Sequence, residues 1–216
     1  MTVLVAKTDT QRPLSYASPS QAPAAGGVPS FEPRRHRWTF EDYIRLGETG
    51  LLAAQRTELV DGEIYDVPAQ NNPHVASVSK ANRLLVVTFD ESYWVTVQST
   101  VRLRRGDGPE PDLAVRPGPV SADNVHPHPL LVIEVSDETL LYDQVVKSSL
   151  YAANGVEDYW VVNIPDRQVE VYRKPVEDAS RRYGWRYGEL TVFRPPAVVV
   201  PLAKPDARFE VARMLP

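Results

Sequence analysis

The stretch Leu130-Leu131-Val132-Ile133-Glu134-Val135 decides the fold. An almost unbroken apolar run of this length reads as a strand covered on both faces. Its one polar residue, Glu134, would cost several kcal/mol to bury unpaired, or its pKa would rise strongly. The sequence therefore calls for a cation, a metal ion or a strand end that opens to water. Pro109-Glu110-Pro111-Asp112 leads into a second strand, Leu113-Ala114-Val115, that could lie beside the first. Two carboxylates on neighbouring strands repel unless a divalent ion lies between them, and Mg²⁺ or Mn²⁺ takes such oxygen ligands. Taken singly, Asp112 also reads as a turn residue and Glu134 as a charge at a strand end.

Downstream, Leu141 to Ala153 reads as a helix with Gly155 as its stop, followed by a strand over Asp158 to Asn163. Pro165-Asp166 is a turn, Gln168 to Arg173 alternates as a further strand, and the last forty or so residues hold more short strands. On the helix, Asp143, Lys147 and Tyr151 fall at i, i+4 and i+8 and share one face. If that face crosses the strand ends, Lys147 can reach the carboxylate pair; otherwise it is half of a solvated Asp–Lys pair. Upstream, Tyr93 to Gln98 and Val101 to Arg105 read as strands before the Gly106-Asp107-Gly108 turn. Asn72-Pro73 reads as an N-cap and first helical residue, with Val75, Val78, Asn82, Leu85 and Phe89 following at helical spacing. Thr57 to Val67 reads as a hairpin around Asp61-Gly62, and Thr39 to Asp42 as a capped start to a short helix that stops at Gly47. Glu58 enters that hairpin, and His74 sits in the first turn of the Pro73 helix, where the helix N-terminus favours neutral imidazole. The pattern is α/β or α+β: a mixed β-sheet flanked by helices.

The chain has 216 residues, enough for one ordinary domain. Residues 1–33 hold Pro13, Pro19, Pro23, Pro29 and Pro33 with little to bury, which predicts a flexible tail before a single domain over 34–216. Arg34-Arg35-His36-Arg37 forms a small basic cluster at the boundary. The absence of cysteine excludes disulfides, thiolate zinc sites and a cysteine nucleophile. No apolar run approaches the ~18–20 residues a membrane span needs, and the start lacks a signal-peptide core, so a cytoplasmic protein is expected. A net charge of −4 argues against a protein that coats nucleic acid, but not against an enzyme touching it through a local patch.

The motifs Glu58-Leu59-Val60-Asp61-Gly62-Glu63-Ile64, His74, Glu110-Pro111-Asp112-Leu113-Ala114-Val115, Leu131-Val132-Ile133-Glu134-Val135-Ser136, Lys147 with Tyr151, and Gly155-Val156-Glu157-Asp158-Tyr159-Trp160 occur in this order. Together they resemble the restriction endonuclease branch of the PD-(D/E)xK nuclease superfamily, long catalogued as a domain of unknown function. The resemblance implies a restriction-endonuclease-like core and Mg²⁺-dependent hydrolysis of phosphodiester bonds in nucleic acid, DNA first. It makes Asp112 and Glu134 the metal-binding carboxylates, helped by the main-chain carbonyl of Val135. Glu58 would be a further acidic residue, and Lys147 the motif's lysine, displaced onto the following helix. The usual motif places lysine two residues after the glutamate, where this chain has Ser136; the branch resembled shares that displacement. His74 would orient the site or contact phosphate, and analogy with nucleases that cut two strands suggests a homodimer. Gln98 could contact water or backbone, and Arg102, Arg104 and Arg105 could track a nucleic-acid backbone or form an ordinary polar face.

Two rivals stand beside this reading. One is a nuclease-fold binding or regulatory module with little turnover. The other is a different metalloenzyme built on His126-Pro127-His128, although the two flanking prolines there suggest a surface loop. A serine hydrolase lacks its Gly-x-Ser-x-Gly elbow.

Overall fold

The computed structural model describes residues 35–119 and 127–216. The tail expected over 1–33, Arg34 of the basic cluster and His126 of the His-Pro-His pair lie outside the described residues. Residues His36–Pro216 form one unit.

Thr39 caps α1 (Phe40–Glu48): its Oγ1 accepts from the Asp42 amide at 3.1 Å. The helix runs through Gly47 and turns away at Gly50, which has φ +77°. Strands β1 (Thr57–Val60) and β2 (Glu63–Asp66) form the expected hairpin. Asp61 (φ 52°) and Gly62 (φ 68°) are both left-handed, as a two-residue hairpin turn of this kind requires. Helix α2 (Asn72–Thr88) begins one residue earlier than predicted, because the capping side chain is Asn71, which accepts from the His74 amide at 3.0 Å.

The central sheet holds β3 (Tyr93–Val97), β4 (Leu113–Pro117), β5 (Leu131–Ser136), β6 (Asp158–Asn163), β7 (Gln168–Glu177) and β8 (Trp185–Phe193), in that spatial order. Only β5 and β6 are parallel. Their crossover carries α3 (Leu140–Tyr142), a π-helical turn (Asp143–Lys147) and α4 (Ser148–Ala153). Short strands β9 (Val198–Val199) and β10 (Phe209–Glu210) pair near the C-terminus. This is a mixed α+β fold, a six-stranded mixed sheet flanked by helices. No helix among the described residues is long and apolar enough to cross a membrane.

Strand β5 is buried along its whole length. Leu131, Ile133 and Val135 pack on one side with Val78 and Leu85 of α2 and with Phe209 and Leu215. Val132 and Ala114 pack on the other with Leu150 and Tyr151 of α4. Side chains alternate along a strand, so Glu134 shares the side of Val132, and Asp112 that of Ala114. The register of β4 and β5, Leu113 opposite Ile133, sets those two carboxylates against each other.

The strand expected over Val101–Arg105 is absent. That segment is a loop folded back on itself, with Val101 N–H bonded to Pro109 O and Leu103 N–H to Asp107 O at 2.9 and 2.8 Å. Val101 and Leu103 are buried while Arg102, Arg104 and Arg105 are exposed. Alternating burial imitates a strand's period here without a ladder, and it leaves all three arginines at the surface.

Candidate active site

The first acidic residue, Asp112, stands just ahead of β4, and its side chain is held from three sides. Oδ2 accepts from the Val135 amide at 2.9 Å and lies 3.1 Å from His74 Nε2; Oδ1 accepts from Gln98 Nε2 at 3.2 Å. Burial alone would raise this carboxyl, but His74 and the Val135 amide outweigh it and hold the pKa below the usual value. His74 comes from the start of α2, capped by Asn71. Gln98, just past β3, adopts φ 45°, and its amide donates to the Asp112 carbonyl at 3.0 Å.

Glu134 is 3% exposed. Three donors converge on it: the Asp112 amide on Oε2 at 3.2 Å, and Lys147 Nζ and the Tyr151 hydroxyl on Oε1 at 3.0 and 2.8 Å. Burial pushes its carboxyl up to about 8, against the pull of the Lys147 ammonium. Three converging donors, one of them the Lys147 ammonium, favour the ionised carboxylate and oppose the upward push of burial. Burial alone would lower the Lys147 pKa, but Glu134, Glu58 and Asp143 around it raise it well above the ordinary lysine range. Glu58, on β1, receives Lys147 Nζ at 3.3 Å and the Glu110 amide at 3.4 Å.

The structure thus brings Asp112, Glu134, Lys147, Glu58 and His74 to one cavity of about 310 Å³, with Val135 on its floor. The Val135 N–H points at Asp112. In an extended strand a residue's N–H and C=O leave the same edge, so its carbonyl faces that edge too. His128 does not belong to the cavity lining; its Nε2 meets the Gly155 carbonyl at 3.2 Å.

Sequence reasoning gave Tyr151 no role of its own, although its i+4 spacing from Lys147 was the signal. Asp143, which its spacing placed on the Lys147 face, accepts through Oδ2 from the Ser136 and Thr139 hydroxyls at 2.8 Å each. Ser136 occupies the place of the usual motif lysine, and here it anchors the π-helical turn that carries Lys147. Arg56 pairs with Glu110 at the cavity wall, Nη2 to Oε2 2.9 Å. No local pattern announces that pair, which joins residues 54 positions apart.

Among the described residues no group of three or more His, Asp or Glu is arranged to hold a metal ion. The donor set nevertheless fits a hard divalent ion of the Mg²⁺ type, which takes one or two carboxylates and completes its shell with water and substrate phosphate. Asp112, Glu134 and the Val135 carbonyl supply such oxygens. The cavity is also strongly acidic. Glu58, Asp66, Glu110, Asp112, Glu134, Asp137, Glu138 and Asp143 line it, against Arg56, Lys147 and His74.

Comparison with known proteins gives a consistent picture. No curated protein matches the chain. A solved structure described as "a putative nuclease belonging to DUF820" from Anabaena variabilis ATCC 29413 superposes with a TM-score of 0.59. The two share 17% identity over 82% of this chain and 96% of that one, so the likeness concerns the fold. Residues 40–206 match the Uma2 family, described as "Putative restriction endonuclease", which is consistent with the PD-(D/E)xK superfamily. That match spans most of the 216 residues, and the chain belongs to the Uma2 family.

Proposed function

We propose that the protein is an endonuclease that hydrolyses phosphodiester bonds of nucleic acid, DNA in the first instance, with Mg²⁺ as the working ion and Mn²⁺ as a substitute. The observation that carries this is the reach of Lys147: a lysine borne by the crossover helix stands 3.0 Å from Glu134 and 3.3 Å from Glu58. Asp112, Glu134 and the Val135 carbonyl would hold the ion. When bound, it polarises the phosphate and lowers the pKa of its water.

The chain's own groups divide the remaining work. Lys147 keeps its proton and so serves as a fixed positive charge beside the phosphate, countering the negative charge that builds on the phosphorane. Glu58 and Tyr151 hold Lys147 and Glu134 in place. His74 fixes the orientation of Asp112. The carboxylates lining the cavity would repel a phosphate, and a bound divalent ion would offset that charge.

The test is cleavage of supercoiled plasmid and of single-stranded DNA in EDTA, Mg²⁺ and Mn²⁺, comparing wild type with Asp112→Ala, Glu134→Ala and Lys147→Ala. Metal-dependent cutting lost in all three variants supports the reading and each role. Loss in the carboxylate variants alone keeps the metal site and removes the role of Lys147. Cutting that survives both carboxylate changes rejects the site. No cutting by any protein, with Mg²⁺ still raising the Tm of wild type but not of Asp112→Ala, favours a nuclease-fold binding module.

A further inference from the structure

The cavity is acidic and offers a polyanion little beyond a metal ion, so the rest of the substrate must be held elsewhere. One basic place on the described surface adjoins the cavity wall. Arg104 and Arg105, on the loop after Leu103, and Arg181, Arg182 and Arg186, at the tip of the β7–β8 hairpin, are all exposed and come together beside α4.

Two sets of contacts build this band. Ser149, in the first turn of α4, donates its hydroxyl to the Trp185 carbonyl at 2.7 Å and accepts from the Tyr183 amide at 3.3 Å, which seats the hairpin tip. At the other end of α4, Asn154 Oδ1 accepts from the Arg105 amide at 2.8 Å, and the Arg104 guanidinium lies against Gly155. Arg105 Nη1 then donates to the Tyr183 carbonyl at 3.3 Å, tying loop to hairpin.

The band is continuous with the cavity wall. Arg182 lies over the Tyr183 ring, 5.6 Å from its centroid, and neighbours Tyr65, which lines the cavity and donates its hydroxyl to Glu63 at 2.7 Å. Asp178 pairs with Arg181 and Arg186 at 3.6 and 3.2 Å, and Asp107 is buried, accepting from the Asp61 amide. Five guanidiniums still outnumber the half-buried Asp178 and the exposed Asp61 beside Arg182, leaving a local positive field on a chain of net charge −4. Arginine's planar fork suits phosphate oxygens, and backbone contacts hold both ends of the band in place.

We infer that this arginine band is the track on which the nucleic-acid backbone lies after leaving the cavity past Tyr65. The inference rests on the nuclease reading for its ligand, and its test is independent of turnover.

Fluorescence anisotropy of labelled single-stranded and duplex oligonucleotides, with the full chain and Ca²⁺ in place of Mg²⁺, reads binding across about 50 to 200 mM salt. Arg181→Glu/Arg182→Glu is expected to weaken binding roughly tenfold or more at the low-salt end. The slope of log K against log salt should become shallower by about one to two. The neutral pair Arg181→Gln/Arg182→Gln should give a smaller change in the same direction. Arg83→Glu/Arg213→Glu, the same charge change made on α2 and the C-terminal segment, should leave the slope near that of wild type. Hydrolysis of bis(p-nitrophenyl) phosphate, which is too small to reach the band, should be equal in wild type and band variants. Binding by the band variant within twofold of wild type overturns the inference. So does an equal loss from the Arg83/Arg213 pair, which would show only a response to net charge. Absence of hydrolysis by wild type would count against the nuclease reading while leaving the binding result decisive for the track.

Discussion

Lys147 Nζ and the Tyr151 hydroxyl, four residues apart in the chain, both donate to the same atom, Glu134 Oε1, at 3.0 and 2.8 Å. A helix turn lies between them, so two donors from one helical face close on one carboxylate oxygen of the sheet. The π-helical turn Asp143–Lys147 ends on the first of this pair, and such widened turns recur at functional sites. Its first residue is fastened to β5 through Ser136, so the helix face that meets Glu134 is set from the sheet itself.

Removing Lys147 should cost more than a positive charge. Lys147→Met leaves Glu134 buried without its cation, and breaking a buried pair in this way costs about 3–5 kcal/mol. Urea denaturation should show that loss, and Glu134→Gln/Lys147→Met should recover most of it. A double variant no more stable than Lys147→Met would mean that the two groups are not energetically coupled.

Tyr151→Phe removes one donor and leaves the rest of the ring in place. With Lys147 still present the expected loss is about 1–3 kcal/mol. Thermal unfolding checks the magnitude. Nuclease activity should fall less than in Lys147→Ala, since the cation beside the phosphate remains.

His74 Nε2 lies 3.1 Å from Asp112 Oδ2, which favours a role through Asp112. His74→Ala should let the Asp112 pKa rise and its carboxylate rotate, weakening divalent-ion affinity by roughly 10–100-fold. Calorimetric titration with Mn²⁺ measures this directly. An unchanged affinity would free His74 for a direct contact with phosphate.

Glu170, on β7, offers a pH test away from the cavity. It is buried and accepts from Gln144, Asn163, Gln168 and the Tyr172 hydroxyl at 2.7 to 3.0 Å. Burial pushes its carboxyl up, but these donors outweigh that and hold its pKa below the ordinary value. A folded pKa below the unfolded one means stability that is present above the unfolded value, about 4.3, and lost as pH falls through the folded value. Glu170→Gln should therefore cost about 2 kcal/mol near neutral pH, and the gap in Tm from wild type should narrow as the pH is lowered below about 4. A gap independent of pH would assign the cost to packing.

Much of the architecture is legible along the chain. The Asp61-Gly62 turn, the strand over Asp158–Asn163 and the helix behind Pro73 appear where their local signals lie, because turn chemistry and apolar periodicity are properties of a few consecutive residues. The same locality misleads at Val101–Arg105, where alternating burial arises in a folded-back loop with no partner strand, and it shifts the cap of α2 from Asn71 to Asn72.

By itself, the sequence determined that Glu134 had to be compensated, since an acid inside an apolar strand cannot stay alone, and it marked Asp112 and Lys147 as candidates. Which atoms compensate it was decided only by the tertiary structure. The antiparallel register of β4 on β5 set Asp112 opposite Glu134, the crossover after β5 carried Lys147 and Tyr151 back over it, and Glu58 arrived from a separate hairpin. The arginine band has the same origin, with loop residues 104 and 105 meeting hairpin residues 181 to 186 across α4. Hydrogen bonds and ion pairs act over a few ångströms in space, and no periodicity along the chain encodes a separation that closes only when the sheet forms.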